Sequence, residues 1–230
     1  MPKVFEIEHS LFLIITFLFF FILGFLLKKN IKEEKKIEIM FKILGFFGFL
    51  FILISRISLA IDRHNFLLLL PDSFCSMTSY LTAISLLFLK KDNIILHVVW
   101  LLALVGNICS LLIPDYLADG PTIFFIPTIT ALIHHAFTLF EIIMVFIFKY
   151  MYLTLKKWWS QIILIVIYIG TGLIFVYCFK APDAFYIKNP AIIHTELRVW
   201  LLIPIYISVY LIIMITVTII RKKLKHNNNA

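Results

Sequence analysis

Seven long apolar segments constrain this chain more than any other feature of its sequence. Each has about 20 residues, the length that an α-helix needs to cross a hydrocarbon core of ~30 Å at ~1.5 Å per residue. The segments cover Ser10–Leu27, Ile39–Ala60, Leu70–Leu89, Ile94–Ile113, Ile126–Phe148, Gln161–Phe179 and Leu197–Ile220. We therefore predict an all-α fold, a polytopic transmembrane bundle of seven helices that forms one domain over residues 1–230.

The composition supports a membrane protein and excludes several other classes. Hydrophobic residues make up 62% of the chain and charged residues 15%, whereas soluble domains are roughly 45–50% apolar and about 25% charged. The net charge of +8 comes mostly from basic residues between the apolar segments. Such residues orient a chain in a membrane and do not indicate nucleic-acid binding. The three cysteines form no C-x-x-C pair, so we expect neither a disulfide framework nor a metal site, and no cofactor.

The basic residues predict how the chain is oriented. The first, third and fifth loops and the C-terminal tail together hold fourteen Lys and Arg residues, and the opposite side holds five. By the positive-inside rule, the N-terminus lies outside and the C-terminus inside. We expect a multi-pass protein of the cell (plasma) membrane.

A polar seam follows one face of the third apolar segment, Leu70–Leu89. Cys75 lies about one turn into the predicted helix, and Thr78, Ser79 and Thr82 follow it at intervals of three, four and seven residues. Residues at these spacings share a helix face. A thiol and three hydroxyls on one side of a helix would find no polar partners in lipid, so we predict that this face points into the bundle.

The fifth apolar segment carries several polar and ionisable residues. His134, Thr138 and Glu141 fall on one helix face, and His135 is rotated from them by about 100°. A charge at the centre of a membrane costs ~2.5–3.5 kcal/mol on insertion scales, so these residues call for an inward, hydrated environment. Two interpretations stay open: a proton carrier or general base, and a polar seam that only ties helices together.

The predicted topology allows Cys75 and His135 to meet. Both helices begin at the outer face, which places both side chains in the outer half of the bilayer and lets them face one hollow. A thiolate is a nucleophile, and a nearby histidine or a helix N-terminus favours its formation. The alternative for Cys75 is an inert, buried small residue.

Two further polar residues lie near predicted helix ends. Arg56, near the end of the second helix, is expected to pair with Asp62 or Glu141, or to extend towards the membrane surface. Asp115 follows the fourth helix, where it suits a turn or a polar contact at the outer face.

Three short motifs resemble those of the YwaF-type integral membrane family. Leu70–Ser76, LPDSFCS, is similar to the family signature L-P-x-H-x-C-S. Gly106–Asp115, GNICSLLIPD, resembles the G…L-L-T-P-D segment that follows, and Ile133–Ala136, IHHA, resembles its I-S-H-G segment. Their order and the seven predicted spans also agree with that family.

The resemblance implies a function and assigns roles. The eukaryotic branch of that family includes a transmembrane acyltransferase that moves acyl chains between phospholipids through a cysteine and a histidine. By this resemblance, Cys75 would accept the acyl group and His135 would be the base. Ser73, His134 or Asp115 would orient the His135 ring. Ser73 stands where the family signature has a histidine.

We therefore expect a phospholipid acyltransferase that works through an acyl-thioester, with membrane phospholipids as its partners. One alternative is a proton-coupled small-solute transporter with Arg56, His134, Glu141 and Asp115 along its path. Another is a non-enzymatic seven-helix membrane protein.

Overall fold

The computed structural model describes residues 4–114, 116–117, 120–189 and 199–227, and within these ranges the chain forms helices, turns and loops but no strand. This confirms the predicted all-α class. Asp115 lies outside the described residues, as does the start of the seventh predicted segment, Leu197–Arg198.

The described residues form seven α-helices: α1 Ile7–Asn30, α2 Glu34–Asp62, α3 Phe74–Phe88, α4 Ile94–Leu112, α5 Ile126–Ile147, α6 Ser160–Leu173 and α7 Val199–Asn227. Short 3-10 turns occur at Phe66–Leu69 and Leu155–Lys157, and a π-helical turn, Ile174–Cys178, extends α6. Six apolar helical stretches of the described chain are long enough to cross a membrane. The exception is α3, whose 15 residues span only about 22 Å. The predicted orientation of the termini stays a prediction.

The chain divides into two compact units, Met1–Met151 and Tyr152–Ala230. The first unit contains α1–α5, and the second contains α6 and α7. Each unit is described by itself below, and the predicted single domain stays a prediction.

Helix α5 lies at the centre of the first unit, where it contacts each of α1, α2, α3 and α4. About two thirds of its most apolar window (67%) is buried, against 11% for α1. The polar residues of α5 therefore face protein, because few positions on this helix are left to face lipid.

Helix α1 is attached to the rest of the first unit near its two ends. The His9 Nε2 atom lies 2.9 Å from the Leu111 carbonyl oxygen, and the Lys28 ammonium donates to the Ile147 carbonyl at 3.1 Å. Between these contacts Phe20 stacks on Phe140, with ring centroids 4.7 Å apart. Apolar grooves remain on both sides of Phe20.

Two glycines on α2 permit close packing in the first unit. A Cβ atom at Gly45 would lie 2.6 Å from the Leu87 nitrogen and 2.7 Å from the Ala83 oxygen, both in the backbone of α3. A Cβ atom at Gly48 would overlap the Glu141 carboxyl group on α5. Small residues of this kind let membrane helices approach closely.

In the second unit, residues 180–189 pack against α6. Tyr168 stacks on Phe185 with centroids 5.6 Å apart, and a Cβ atom at Gly172 would lie 2.7 Å from the Ile187 side chain. The Asp183 carboxylate accepts hydrogen bonds from three backbone N–H groups of this segment. The Tyr206 hydroxyl of α7 donates to Gln161 of α6.

Replacement of Gly45 by alanine is expected to lower stability by about 1–3 kcal/mol, because the new methyl group meets backbone atoms that cannot move aside. Gly170→Ala is the matched control. A Cβ atom there meets nothing within 4 Å, and alanine favours a helix over glycine by about 0.5–1 kcal/mol. Thermal unfolding in detergent should show a lower melting temperature for the first variant and an equal or higher one for the second. Equal melting temperatures for Gly45→Ala and wild type would contradict the close α2–α3 contact.

Candidate functional site

Helix α3 begins later than the sequence analysis predicts. Leu70–Ser73 is not helical, and α3 starts at Phe74. The reason is local: Pro71 disfavours a helical conformation at Leu70, and Ser73 and Ser76 form a capping box that fixes the helix start. Cys75 is therefore the second residue of α3, and the expectation that it lies one turn inside the helix is wrong.

Arg56 holds the chain that leads into α3. The side chain is 7% exposed. Its Nε atom donates to the Leu68 carbonyl at 2.6 Å and its Nη2 atom to the Leu70 carbonyl at 3.0 Å. The same Nη2 atom lies 2.9 Å from the Asp72 carboxylate. The predicted pairing of Arg56 with Asp62 or Glu141 is wrong, because the chain before α3 wraps around the guanidinium and supplies its acceptors.

The Cys75 side chain contacts α4. Its half-buried sulfur lies 3.2 Å from the Ser110 hydroxyl oxygen, within hydrogen-bond distance. A Cβ atom at Gly106 would lie 3.5 Å from the sulfur, in ordinary van der Waals contact. The thiol therefore lies over one turn of α4, between Gly106 and Ser110.

The polar seam of α3 faces the interior, as predicted. Thr78, Ser79 and Thr82 are at most 1% exposed. The Thr138 hydroxyl donates to Ser79 at 3.0 Å and links α5 to α3. Thr78 instead donates to backbone carbonyls within its own helix.

His135 is oriented by an amide on α4. Its Nδ1 atom lies 2.8 Å from the Asn107 Oδ1 atom, and the Asn107 Nδ2 atom donates to the Ala103 carbonyl at 2.6 Å. Because the amide nitrogen is used by a carbonyl, the amide oxygen faces the imidazole and Nδ1 carries the hydrogen. The Nε2 atom of neutral His135 then carries the lone pair that a general base needs. Tyr116 stacks on the same ring at an interplanar angle of 16°.

One turn of α4 brings Cys75 and His135 to the same region. Asn107 and Ser110, their respective partners, are three residues apart, and residues at that spacing are neighbours on a helix surface. The sequence analysis did not single out Asn107, Ser110 or Tyr116. An amide inside an apolar segment was the available signal for Asn107, because such a group needs a partner in a membrane.

A cavity of about 160 Å³ lies beside this region. We call it the Arg56 cavity; its lining includes Arg56, Asp62, Ser73, Tyr116, His134 and His135. Cys75 does not occur among the described residues that line it. Because only His135 of the two lines this cavity, the expectation that thiol and imidazole face one hollow stays a prediction.

His134 and Glu141 differ from the other polar residues of α5. His134 is 5% exposed, and neither ring nitrogen makes a hydrogen bond of good geometry with a described residue. The Thr130 carbonyl, one turn earlier, lies near enough to interact with the ring without forming such a bond. The Glu141 carboxyl is fully buried against Gly48 and has no hydrogen-bond partner among the described residues.

A family model described as the TMEM164 family matches residues 4–221. The chain belongs to the TMEM164 family. The match extends from the start of α1 into α7. It supports the expectation of a multi-pass membrane protein, whereas the link to a YwaF-type branch stays a prediction. No curated protein and no solved structure matches the chain.

The site of this TMEM164 family member contains a thiol, an oriented imidazole and several hydroxyls. Where side chains are described, no three His, Cys, Asp or Glu residues come together as metal ligands would. The groups that are assembled suit nucleophilic and acid–base chemistry.

The Arg56 contacts predict that substitution of this residue loosens the chain before α3. Arg56→Gln leaves the Leu68 and Leu70 carbonyls and the Asp72 carboxylate without their donor. We expect a loss of about 2–4 kcal/mol in stability, somewhat less than for a fully buried pair because Asp72 is 25% exposed. Hydrogen–deuterium exchange should become faster over residues 66–76.

Arg63→Gln is the control for this variant. Arg63 is half-exposed and lies 3.5 Å from Asp62, and surface pairs of this kind contribute ~0–1 kcal/mol. An unchanged exchange rate over residues 66–76 in Arg56→Gln would show that the guanidinium does not hold this segment.

Proposed function

We propose that the protein is an acyltransferase of the cell membrane that moves acyl chains between phospholipids. Cys75 is the nucleophile and His135 the general base. The observation that carries this proposal is that one turn of α4 contacts both groups. Asn107 bonds His135 Nδ1 and leaves the lone pair on Nε2, and Ser110, three residues later, contacts the thiol.

The proposed reaction has two steps. First, His135 Nε2 accepts the Cys75 proton, the sulfur attacks the ester carbonyl of a phospholipid, and the bond to the glycerol oxygen breaks. The histidine returns the proton to that oxygen, and a lysophospholipid leaves. In the second step the hydroxyl of another lysophospholipid attacks the thioester while His135 removes its proton, and the thiol is regenerated.

Two features near Cys75 support the first step. Cys75 lies in the first turn of α3, where the positive end of the helix dipole stabilises a thiolate and the oxyanion of the attacked carbonyl. Ser110 contacts the sulfur and restricts where it lies. Capture of the thiol proton by a positioned base is worth about 10²–10⁴ in rate.

The grooves beside α1 support an acyl substrate. One groove has a volume of about 430 Å³ and the other about 530 Å³, and nearly all of their lining is apolar. Phe20 and Ala136 line both grooves. Ala136 is rotated from His135 by about 100° on α5, and His135 does not occur among the described residues that line the grooves. The grooves would therefore hold the distal part of an acyl chain and not its ester group.

Cys75→Ala should abolish acyl transfer, since no other group in the proposal forms the thioester. The test uses the purified protein in lipid with a fluorescent phospholipid donor and a lysophospholipid acceptor. In the wild type, intact-protein mass spectrometry should detect one added acyl group that hydroxylamine removes, and this adduct should be missing in the variant.

Cys178→Ala is the matched control, because Cys178 lies in the exposed π-helical turn of the second unit. It should transfer acyl chains at the wild-type rate. Wild-type transfer by Cys75→Ala would end the proposal.

Asn107→Leu tests how His135 is positioned. Loss of the amide oxygen allows the imidazole to change tautomer and to rotate. We expect kcat to fall by about 10- to 100-fold, which is less than the full contribution of general-base catalysis because the imidazole itself remains. The KM should change little, because Asn107 contacts the base and not the substrate.

Thr82→Val is the control for Asn107→Leu. It also removes a buried polar group from the bundle, but the Thr82 hydroxyl has no hydrogen-bond partner among the described residues. Its kcat should equal that of the wild type. A higher KM with unchanged kcat in Asn107→Leu would contradict a positioning role.

A further inference from the structure

The Arg56 cavity presents hydrogen-bond donors that no described residue uses. His134 lines the cavity, is 5% exposed, and makes no hydrogen bond of good geometry with a described residue. Arg56 uses Nε and Nη2 for its acceptors in the chain before α3. Its Nη1 hydrogens have no acceptor among the described residues and can bind a ligand. Both residues therefore suit an acceptor-rich group inside the cavity.

Two ion pairs lie around the cavity among the described residues. Asp72 lies 2.9 Å from Arg56, and Asp62 lies 3.5 Å from Arg63. A strongly charged free anion would meet the two carboxylates as well as the arginines. A singly charged phosphodiester fits this balance better, because it needs few donors and brings one charge.

The location of the cavity also restricts the ligand. It is lined by the last turns of α2, the capping residues of α3 and the first residues of α5. These helix ends lie at one end of the bundle, where the headgroups of a bilayer lie. His135 lines the same cavity, so a lipid whose phosphate lies between Arg56 and His134 would have its ester groups near the proposed base.

We infer that the Arg56 cavity binds the phosphodiester of a membrane phospholipid, with Arg56 Nη1 and a ring N–H of His134 as its donors. This inference rests on the proposed function, because it assigns the headgroup subsite of the lipid that donates or accepts the acyl chain. It concerns binding and needs no turnover.

Binding is therefore tested in a Cys75→Ala protein, which keeps the cavity but lacks the proposed nucleophile. The purified protein in detergent is titrated with phosphatidylethanolamine, with diacylglycerol of the same chains, and with inorganic phosphate, and binding is followed by native mass spectrometry. His134→Phe is added to this background, since phenylalanine keeps a ring beside His135, whose centroid lies 4.0 Å from that of His134.

His64→Asn is the matched control. His64 is exposed, lies just after α2 and has a positive φ of 48°, which asparagine tolerates. His134→Phe should weaken phosphatidylethanolamine binding by about tenfold or more, as the loss of a hydrogen bond to a charged group predicts. It should leave diacylglycerol binding unchanged, and His64→Asn should change neither.

Equal phosphatidylethanolamine affinity in His134→Phe and in its parent would overturn the inference, as would equal weakening of diacylglycerol binding. Tighter binding of inorganic phosphate than of the lipid would overturn the lipid assignment. If His134→Phe does not fold, His134→Leu also removes the ring N–H and should weaken lipid binding in the same way. Acyl transfer by Cys75→Ala would end the proposed function and leave this binding result standing.

Discussion

Arg56 places a guanidinium inside an apolar bundle and uses it to hold the chain that leads into α3. Insertion scales give a cost of ~2.5–3.5 kcal/mol for a charge at the centre of a span. Arg56 lies nearer the end of α2, but it is buried and therefore still needs partners. The Leu68 carbonyl lies in the short 3-10 turn Phe66–Leu69 and the Leu70 carbonyl follows it. Neither accepts a backbone hydrogen bond from a described residue, so both need other partners. The guanidinium and these carbonyls satisfy one another, and the Asp72 carboxylate balances the charge. The start of α3, and with it Cys75, is fixed to α2 by this interaction.

The helices could be predicted because length and apolar composition are local properties of the sequence. The beginning of α3 was not predicted, since the segment Leu70–Leu89 was bounded by its overall length and apolar composition, which do not show where a helix starts. The capping pattern of Ser73 and Ser76 was present in the sequence, and it decides the boundary. The partner of Arg56 depended on that boundary, because Asp72 lies near the guanidinium only if the residues before α3 are extended.

Part of the candidate site could also be predicted from the sequence, and part could not. The inward direction of Ser79 and Thr138 follows from helix periodicity, and the structure pairs these two hydroxyls. The partner of His135 does not follow from periodicity, because it lies on α4, whose rotation about its own axis is set by packing. Once α4 is placed, Asn107 and Ser110 reach His135 and Cys75 within one turn. That placement also directs the thiol towards α4, while His135 extends into the Arg56 cavity.

The polar residues of α5 each meet a different neighbour, and this distribution separates possible functional groups from structural ones. His135 is bonded to α4 and Thr138 to α3, so both have the partners that stable burial requires. Glu141 is enclosed by α2 at Gly48, where only the missing Cβ atom leaves room for its carboxyl group. An enclosed carboxyl without a partner lowers stability, so packing alone gives no reason for a glutamate there.

His134 also lacks a well-formed hydrogen bond, but it faces a cavity that a ligand can occupy. An unsatisfied group beside open space can gain its partner when a ligand binds, and for this reason His134, rather than Glu141, is the group through which α5 would recognise a lipid headgroup.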